Sequence, residues 1–330
     1  MRVLLVGAGA VGQVYGETLA RGGAEVGFLV KPAHAGEAQD GYALHALRTW
    51  RRPRSSVFVP DAVFTQLGEA AQERWDQLWL CVSSTALRKP GFEDILARID
   101  ADLLVALQPG LEDRHWLLER WPADRLVRGV IPLIAYQSPL PGRDDQPAGI
   151  AWWLPPFAKV PFDGPEAAVA RVVAPLCAGG WPARHVTHAP EGAASISAIL
   201  MPHLVALESA GWSFDALRRG DGLDAASAAS REALAIVAHG LGLPTPAFAR
   251  RLSPGRIRAL MAVAPKLMPL PLEPYLAWHF TKVGDQTRQH MEHYIERGQA
   301  AGLSTAALES LYARLDRPSK KRERATSPGT

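Results

Sequence analysis

The sequence predicts an α/β domain followed by an all-α domain, and three observations carry that prediction. The chain opens with an apolar run, Val3 to Val6, that passes directly into Gly7-Ala-Gly9-Ala-Val-Gly12. Strand-like and helix-like stretches then alternate as far as Thr187. Beyond Pro190 every periodic stretch has helical spacing. The 330 residues agree with two domains, at about 150 residues each. The expected boundaries are 1–188 for the first domain, 189–316 for the second and 317–330 for a disordered basic tail.

In the first domain the opening strand, Val3–Val6, is followed by a helix over Ala10–Arg21 and a second strand over Ala24–Val30. Short extended runs come next, near Ala43–Leu47 and Val57–Val59. Gln77–Val82, Leu103–Leu107 and Leu126–Ala135 read as further strands, with helices at Phe92–Ile99 and Leu111–Trp121 between them. Continuous apolar strands separated by helices imply a parallel sheet covered on both faces. Ser138–Pro165 is rich in Pro, Gly and Asp and reads as loops around one or two late strands. A helix over Glu166–Cys177 and an extended piece over Arg184–Thr187 close the domain. The second domain is expected to hold helices at Glu191–Ala210, Gly222–Leu241, Thr245–Leu252, Gly255–Ala264, Gly284–Ala301 and Thr305–Arg314. The tail from Arg317 lacks apolar anchors.

A strand, then G-x-G-x-x-G, then a helix is the dinucleotide-binding signature of a Rossmann domain. Gly7 makes the tight turn, Gly9 lets the backbone approach a pyrophosphate, and Gly12 lets the helix lie close on the strand. Free N–H groups of Ala10, Val11 and Gly12 at the helix start favour an anion. NAD binders usually end the second strand with an acid that takes the ribose hydroxyls. Here the chain reads Phe28-Leu29-Val30-Lys31-Pro32. Lys31 suits a 2′-phosphate as a point charge, so the expected cofactor is NADP.

Composition narrows the rest. A net charge of +3 is too small to argue for a polyanionic partner, and no nucleic acid is expected. The two cysteines, Cys81 and Cys177, sit in apolar stretches and read as buried thiols, too few for a disulfide framework. No apolar run approaches the length of about 20 residues needed to span a bilayer. The apolar opening is better explained by the nucleotide turn than by a secretory leader. The expectation is a cytoplasmic protein with a small-molecule substrate, no membrane partner and a possible homodimer. His290 and His293 are three apart, but no third metal ligand is evident, so no metal is expected.

Together these features resemble the ketopantoate reductase (2-dehydropantoate 2-reductase) family over most of the chain. The likeness rests on Val6–Gly12, on Lys31 after the second strand, on Gly41-Tyr-Ala-Leu44 and on Gln108-Pro-Gly-Leu111. The helix carrying Pro202 and the ending Ala301-Gly-Leu-Ser304 also fit. The resemblance implies a Rossmann NADP-binding domain, a helical substrate and dimerisation domain, and reduction of a 2-keto acid. It also shows where this chain differs. In that family a lysine bordering the nicotinamide follows the strand that here ends Leu80-Cys-Val82; Ser83-Ser84 stand there instead. The family's asparagine before the glycine turn is Pro109. Its proton-donating lysine lies in a stretch that here is Glu191–Leu200 and holds no lysine. A later asparagine falls near Ser197, and a substrate-binding glutamate near Gln286. The differences imply altered substrate specificity.

A reduction by NADPH still needs a proton donor. His203 follows Pro202, whose missing N–H frees the Ala198 carbonyl, and imidazole suits proton transfer. It also shares a helical face with Ile196, Ile199, Leu200 and Leu207, which suits a core histidine equally. In Trp278–Arg288, His279 and Lys282 share one face of a helical turn. Lys282 could give a proton or hold a carboxylate, with His279 and Gln286 on the substrate. The catalytic candidates are therefore His203 and Lys282, the substrate-binding candidates Ser83, Ser197, His279 and Gln286, and the cofactor-binding candidates Gly7, Gly9, Ala10, Val11, Gly12, Lys31 and Ser83. Two alternative functions stay open, an imine reductase resembling opine dehydrogenases and a non-catalytic NADP-binding protein.

Overall fold

A computed structural model describes residues 1–108, 111–245, 253–282 and 284–315. The turn at Pro109, most of the helix expected over Thr245–Leu252 and the tail from Arg317 lie outside them. The chain forms two compact units, Met1–Ala193 and Ala194–Thr330.

The first unit contains strands β1 (Arg2–Val6), β2 (Glu25–Leu29), β3 (Tyr42–Ala46), β4 (Arg54–Phe58), β5 (Ala62–Phe64), β6 (Arg74–Leu80), β7 (Asp100–Ala106), β8 (Leu126–Gly129), β9 (Ile134–Ser138), β10 (Gly149–Trp153), β11 (Val160–Asp163) and β12 (Ala183–His185). Its helices are α1 (Ala10–Arg21), α2 (Ala35–Asp40), α3 (Leu67–Ala70), α4 (Ser84–Leu87), α5 (Phe92–Arg98), α6 (Leu111–Leu118) and α7 (Glu166–Ala178). α8 (Ala189–Ser209) follows, then α9 (Phe214–Arg219), α10 (Gly222–Gly240), α11 (Pro254–Leu267), α12 (Leu272–Lys282), α13 (Gly284–Ala300) and α14 (Ala306–Tyr312). An α/β first unit and a helical second unit are the architecture the patterning predicts.

Eight strands form the main sheet in the order β12-β11-β8-β7-β6-β1-β2-β5. β1 pairs in parallel with both β2 and β6. Side chains alternate between two buried faces, which is why these strands read as unbroken apolar runs. One face buries Val3, Leu5, Trp79 and Val105 with Tyr15, Phe162 and Trp181; the other buries Leu4, Leu78, Leu80 and Leu104 with Trp75 and Phe92. A separate sheet of four strands, β4-β3-β10-β9, joins the first of these clusters through Tyr42, Leu44, Phe58 and Ile150.

Four expectations are corrected. Leu126–Ala135 is not one strand: β8 belongs to the main sheet and β9 to the second. The break falls at Gly129–Pro132. Gly129 passes so close to Phe162 that a Cβ would stand 2.6 Å from its ring, and Pro132 has no N–H for a ladder. Cys177 is exposed rather than buried. It sits one residue beyond Leu176, off the α7 stripe of Val169, Val172 and Leu176 that faces the core. Cys81 is partly buried, and burial pushes its thiol up to about 12. The apolar face around His203 is not continuous: Ile196 is 63% and Leu200 43% exposed, whereas Leu204 to Leu207 are buried. Finally, α8, with 21 residues that include an 18-residue window of mean hydropathy 1.3, is long and apolar enough to cross a membrane, although 44% of that window is buried within the protein. Its charges, Glu191 and Glu208, fall near its two ends, and Ser and Gly within it dilute the apolar run. A packed core helix meets the same measure.

The first turn of α8 is held by charge. Arg128 on β8 reaches Asp163 at 2.6 Å and Glu191 at 3.3 Å, and all three side chains are mostly buried.

Candidate functional site

The glycine turn sits where β1 ends and the order of the sheet reverses, with β2 on one side and β6 on the other. Crevices outside the carboxyl ends of strands at such switch points take ligands in open α/β sheets. Gly7 N–H donates to the Leu29 carbonyl at 3.1 Å and Cys81 N–H to the Val6 carbonyl at 3.0 Å, so the turn is fixed to both neighbouring strands. Each glycine has its own constraint. Gly7 holds φ +95°, and a Cβ there would lie 2.8 Å from a Val82 methyl. A Cβ on Gly12 would come 2.4 Å from the Gly7 carbonyl oxygen. A Cβ on Gly9 would meet nothing within 4 Å. Gly9 therefore leaves open space in front of the helix rather than relieving a clash inside the protein.

That space faces the start of α1. Gly9 is its N-cap, no side chain caps it, and its first turn holds no acid. The first internal bond runs from Gln13 N–H to the Gly9 carbonyl at 3.0 Å, while the Gln13 amide donates to the Ala8 carbonyl at 2.9 Å and braces the turn. The N–H groups of Ala10, Val11 and Gly12 thus lack carbonyl partners within the helix, and the helix dipole adds positive potential. An uncapped helix start, a free cradle at Gly9 and no nearby acid fit a pyrophosphate. Lys31 is exposed just beyond β2, where it precedes a short 3-10 turn. The first acid after it is Glu37, on α2.

β6 ends beside the same turn. Ser83 caps α4, with its hydroxyl accepting from Ala86 N–H at 3.3 Å and lying 2.9 Å from the Thr85 hydroxyl. Ser84 donates to Asp113 at 2.7 Å, and Arg88 pairs with the same buried carboxylate. Gln108 follows β7 and donates from Nε2 to the Leu80 and Val82 carbonyls at 3.0 and 2.8 Å. Its Oε1 is buried without a hydrogen-bond partner among the described residues. In the sequence Gln108 is marked only by its place, a polar residue directly after an apolar strand.

The other candidates belong to the second unit. His203 is 9% exposed on α8. Its Nδ1 lies 2.7 Å from the Ile199 carbonyl and 3.3 Å from the Ser230 hydroxyl. A carbonyl can only accept, so Nδ1 carries the proton and Nε2 the lone pair. Nε2 is buried without a partner among the described residues. Burial holds the His203 pKa below its ordinary value, against the smaller raising effect of the Ile199 bond. Ser197 is half-buried, earlier on α8. His279 on α12 stacks on Tyr275 at 5.4 Å, and burial together with the Lys282 charge lowers its pKa. Lys282 is exposed at the end of α12. Gln286 is half-buried in the first turn of α13, where its N–H takes the Asp285 carboxylate at 3.0 Å. The structure thus gathers the glycine cradle, and brings His279 to Lys282 and His203 to Ser230. His290 lies against Tyr294 at 6.3 Å, and among the described residues no group of three His, Cys, Asp or Glu gathers for a metal.

A cavity of about 330 Å³ lies at the opposite, amino-terminal ends of β7 and β8, lined by Asp102, Arg125 and Arg171. Arg171 is already paired with Asp102 at 2.8 Å, and Arg125 donates to the Asp102 carbonyl at 2.7 Å.

Comparison with known proteins agrees with this geometry. Residues 3–145 match the family model described as ketopantoate reductase PanE/ApbA. No curated protein matches the chain. Among solved structures, a PanE/ApbA family ketopantoate reductase from Ralstonia eutropha JMP134 superposes with a TM-score of 0.71 at 18% identity, covering 96% of this chain and 97% of that one. D-mandelate dehydrogenase, solved with NADH and anilino(oxo)acetate, gives a TM-score of 0.69 at 13% identity over 96% and 97% of the two chains. A 2-dehydropantoate 2-reductase from Porphyromonas gingivalis W83 gives 0.68 at 14% identity over 96% and 99%. Ketopantoate reductases are oxidoreductases, and the matched segment contains the glycine cradle, Lys31, Ser83 and Gln108. Residues 3–145 thus match the ketopantoate reductase PanE/ApbA family model, and the chain as a whole shares the fold of solved ketopantoate reductases.

Proposed function

We propose that the protein is an NADP(H)-dependent oxidoreductase that interconverts a 2-keto acid, or a related carbonyl, and its 2-hydroxy counterpart. The observation that carries this reading is the open, uncapped start of α1 behind Gly9. Backbone N–H groups from Ala10 to Gly12 would hold the pyrophosphate, and Lys31 the 2′-phosphate. Ser83, at the end of β6, would border the nicotinamide. The cofactor supplies or removes the hydride when bound. The chain's own part is to orient the acid and move a proton. Lys282 would pair with the substrate carboxylate, helped by His279, Gln286 and Ser197. His203, neutral at Nε2, would accept the hydroxyl proton in the oxidising direction and return it in the reducing one. The fold shared with D-mandelate dehydrogenase supports a 2-hydroxy acid as the substrate class.

Titration of the protein with NADPH and NADH tests the reading. NADPH should bind more tightly, and Lys31→Glu should close or reverse the gap. A charge-assisted phosphate contact is worth about 1.5–3 kcal/mol, or about ten- to a hundred-fold in affinity. Equal affinity for the two cofactors would remove Lys31 from the site. An imine acceptor is the second reading, favoured by a neutral histidine, His203, standing on α8 in a chain without lysine over Glu191–Leu200. NADPH consumption over a panel of 2-keto acids, with and without amines, separates the two.

A further inference from the structure

The four-stranded sheet carries a feature that the nucleotide reading does not use. The β3–β4 turn, residues 47–53, and the β10–β11 loop, residues 154–159, leave the same end of this sheet. β3 and β10 run parallel with Trp152 beside Ala46. Leu47 N–H donates to the Trp152 carbonyl at 2.7 Å, and the Trp153 indole donates to the Thr49 hydroxyl at 3.2 Å. Each loop lifts an aromatic ring into solvent: Trp50 is 77% exposed and Phe157 96%. Phe157 holds φ at 65°, a region that bulky residues avoid, in a turn closed by Ala158 N–H on the Pro155 carbonyl at 3.0 Å.

Cations surround the two rings. Arg48, Arg51, Arg52, Arg54 and Lys159 are all exposed. Among the described residues none of them pairs with a carboxylate. No Asp or Glu occurs between Asp40 and Asp61, or between Asp145 and Asp163. The whole chain sums to +3, so this end of one sheet carries more positive charge than the entire molecule does in balance.

We propose that this end of the sheet docks on an anionic membrane surface. Trp50 and Phe157 would enter the headgroup level, where amphipathic and aromatic rings are favoured. The five cations would face acidic lipid headgroups. Lying on a membrane needs no spanning segment, and α8 has no part in it. Single-stranded nucleic acid is the competing polyanion. Its binding sites set aromatic faces along a groove that tracks the strand, whereas these rings stand at the tips of two separate loops.

The test is co-sedimentation of the full chain with vesicles of phosphatidylcholine alone and of phosphatidylcholine mixed with phosphatidylserine. The expected result is partition onto the mixed vesicles only, weakened by salt. Each basic residue near such a surface adds about fivefold to binding, so Arg51→Glu with Arg52→Glu should lower partition by about 25-fold or more. Trp50→Ser with Phe157→Ser should also weaken it while leaving its salt dependence in place. Both pairs alter exposed loop residues, and melting temperature and NADPH affinity should stay at the wild-type values. The proposal is overturned if the wild-type protein ignores phosphatidylserine vesicles, if both variants bind them as well as wild type does, or if a single-stranded oligonucleotide binds through the same residues more tightly than the vesicles.

Discussion

The chemistry of His203 is set by one neighbour on its own helix and another on α10. Its proton is fixed on Nδ1 by the Ile199 carbonyl, and Ser230, on a different helix, closes the arrangement. If Nε2 handles the substrate proton, His203→Gln should lower turnover by about 10²–10⁴-fold, with NADPH affinity unchanged. The lowered pKa values of His203 and His279 also set a stability profile. The unfolded chain takes up these protons near 6.5, and the folded chain only at lower pH. Between those points the unfolded state holds more protons, so stability is full above pH 6.5 and is lost as pH falls through the folded values. Replacing both histidines with Gln should flatten the fall of melting temperature in that acid range; an unchanged slope would refute it. The constraints on Gly7 and Gly12 were legible in the sequence because a contiguous turn sets them. The packing of Ser230 beside His203 was not, because the two lie 27 positions apart. Gln108 was missed for a similar reason: its partners, Leu80 and Val82, become neighbours only through the pairing of β6 with β7.

At the scale of elements, the β1–α1 junction separates folding from binding within six residues. A Cβ on Gly12 would drive into the Gly7 carbonyl, whereas a Cβ on Gly9 would enter open space. Gly12→Ala should therefore lower thermal stability, because the obstructing atom is backbone and cannot swing away. Gly9→Val should leave the melting temperature of the unliganded protein close to wild type and abolish cofactor binding by calorimetry. A Gly9 variant that unfolds, or that still binds NADPH, would show that the cradle has been misassigned. The same scale shows where pattern reading stops. The run from Leu126 to Ala135 is apolar throughout, and nothing in its hydropathy marks the point where it changes sheets. The change is set by Gly129 passing under Phe162 and by Pro132, and Phe162 lies outside any local window.

For the whole molecule, the charges that matter most to stability are few and buried. Arg128 neutralises both Asp163 and Glu191, with side-chain exposures of 16%, 12% and 16%. Removing one partner from such a cluster leaves uncompensated charge and costs about 3–5 kcal/mol. Arg128→Met should show that loss in urea unfolding, and a change of less than about 1 kcal/mol would place the cluster with ordinary surface pairs. The exposed ion pairs, such as Arg143 with Asp145, should contribute little by comparison. The order of the main sheet has a consequence for how the molecule comes into being. β1 is made first but lies between β2 and β6, and the outermost strand on one side, β12, ends at His185. A nascent chain cannot enclose its own first strand until residue 80 has been synthesised, and the sheet stays open at one edge for about a hundred residues more. Loop-closure entropy must be met before such long-range parallel pairings repay it. The apolar first strand therefore stays unpaired on one side until β6 has been made, and the glycine turn takes its final shape only after its glycines have left the ribosome.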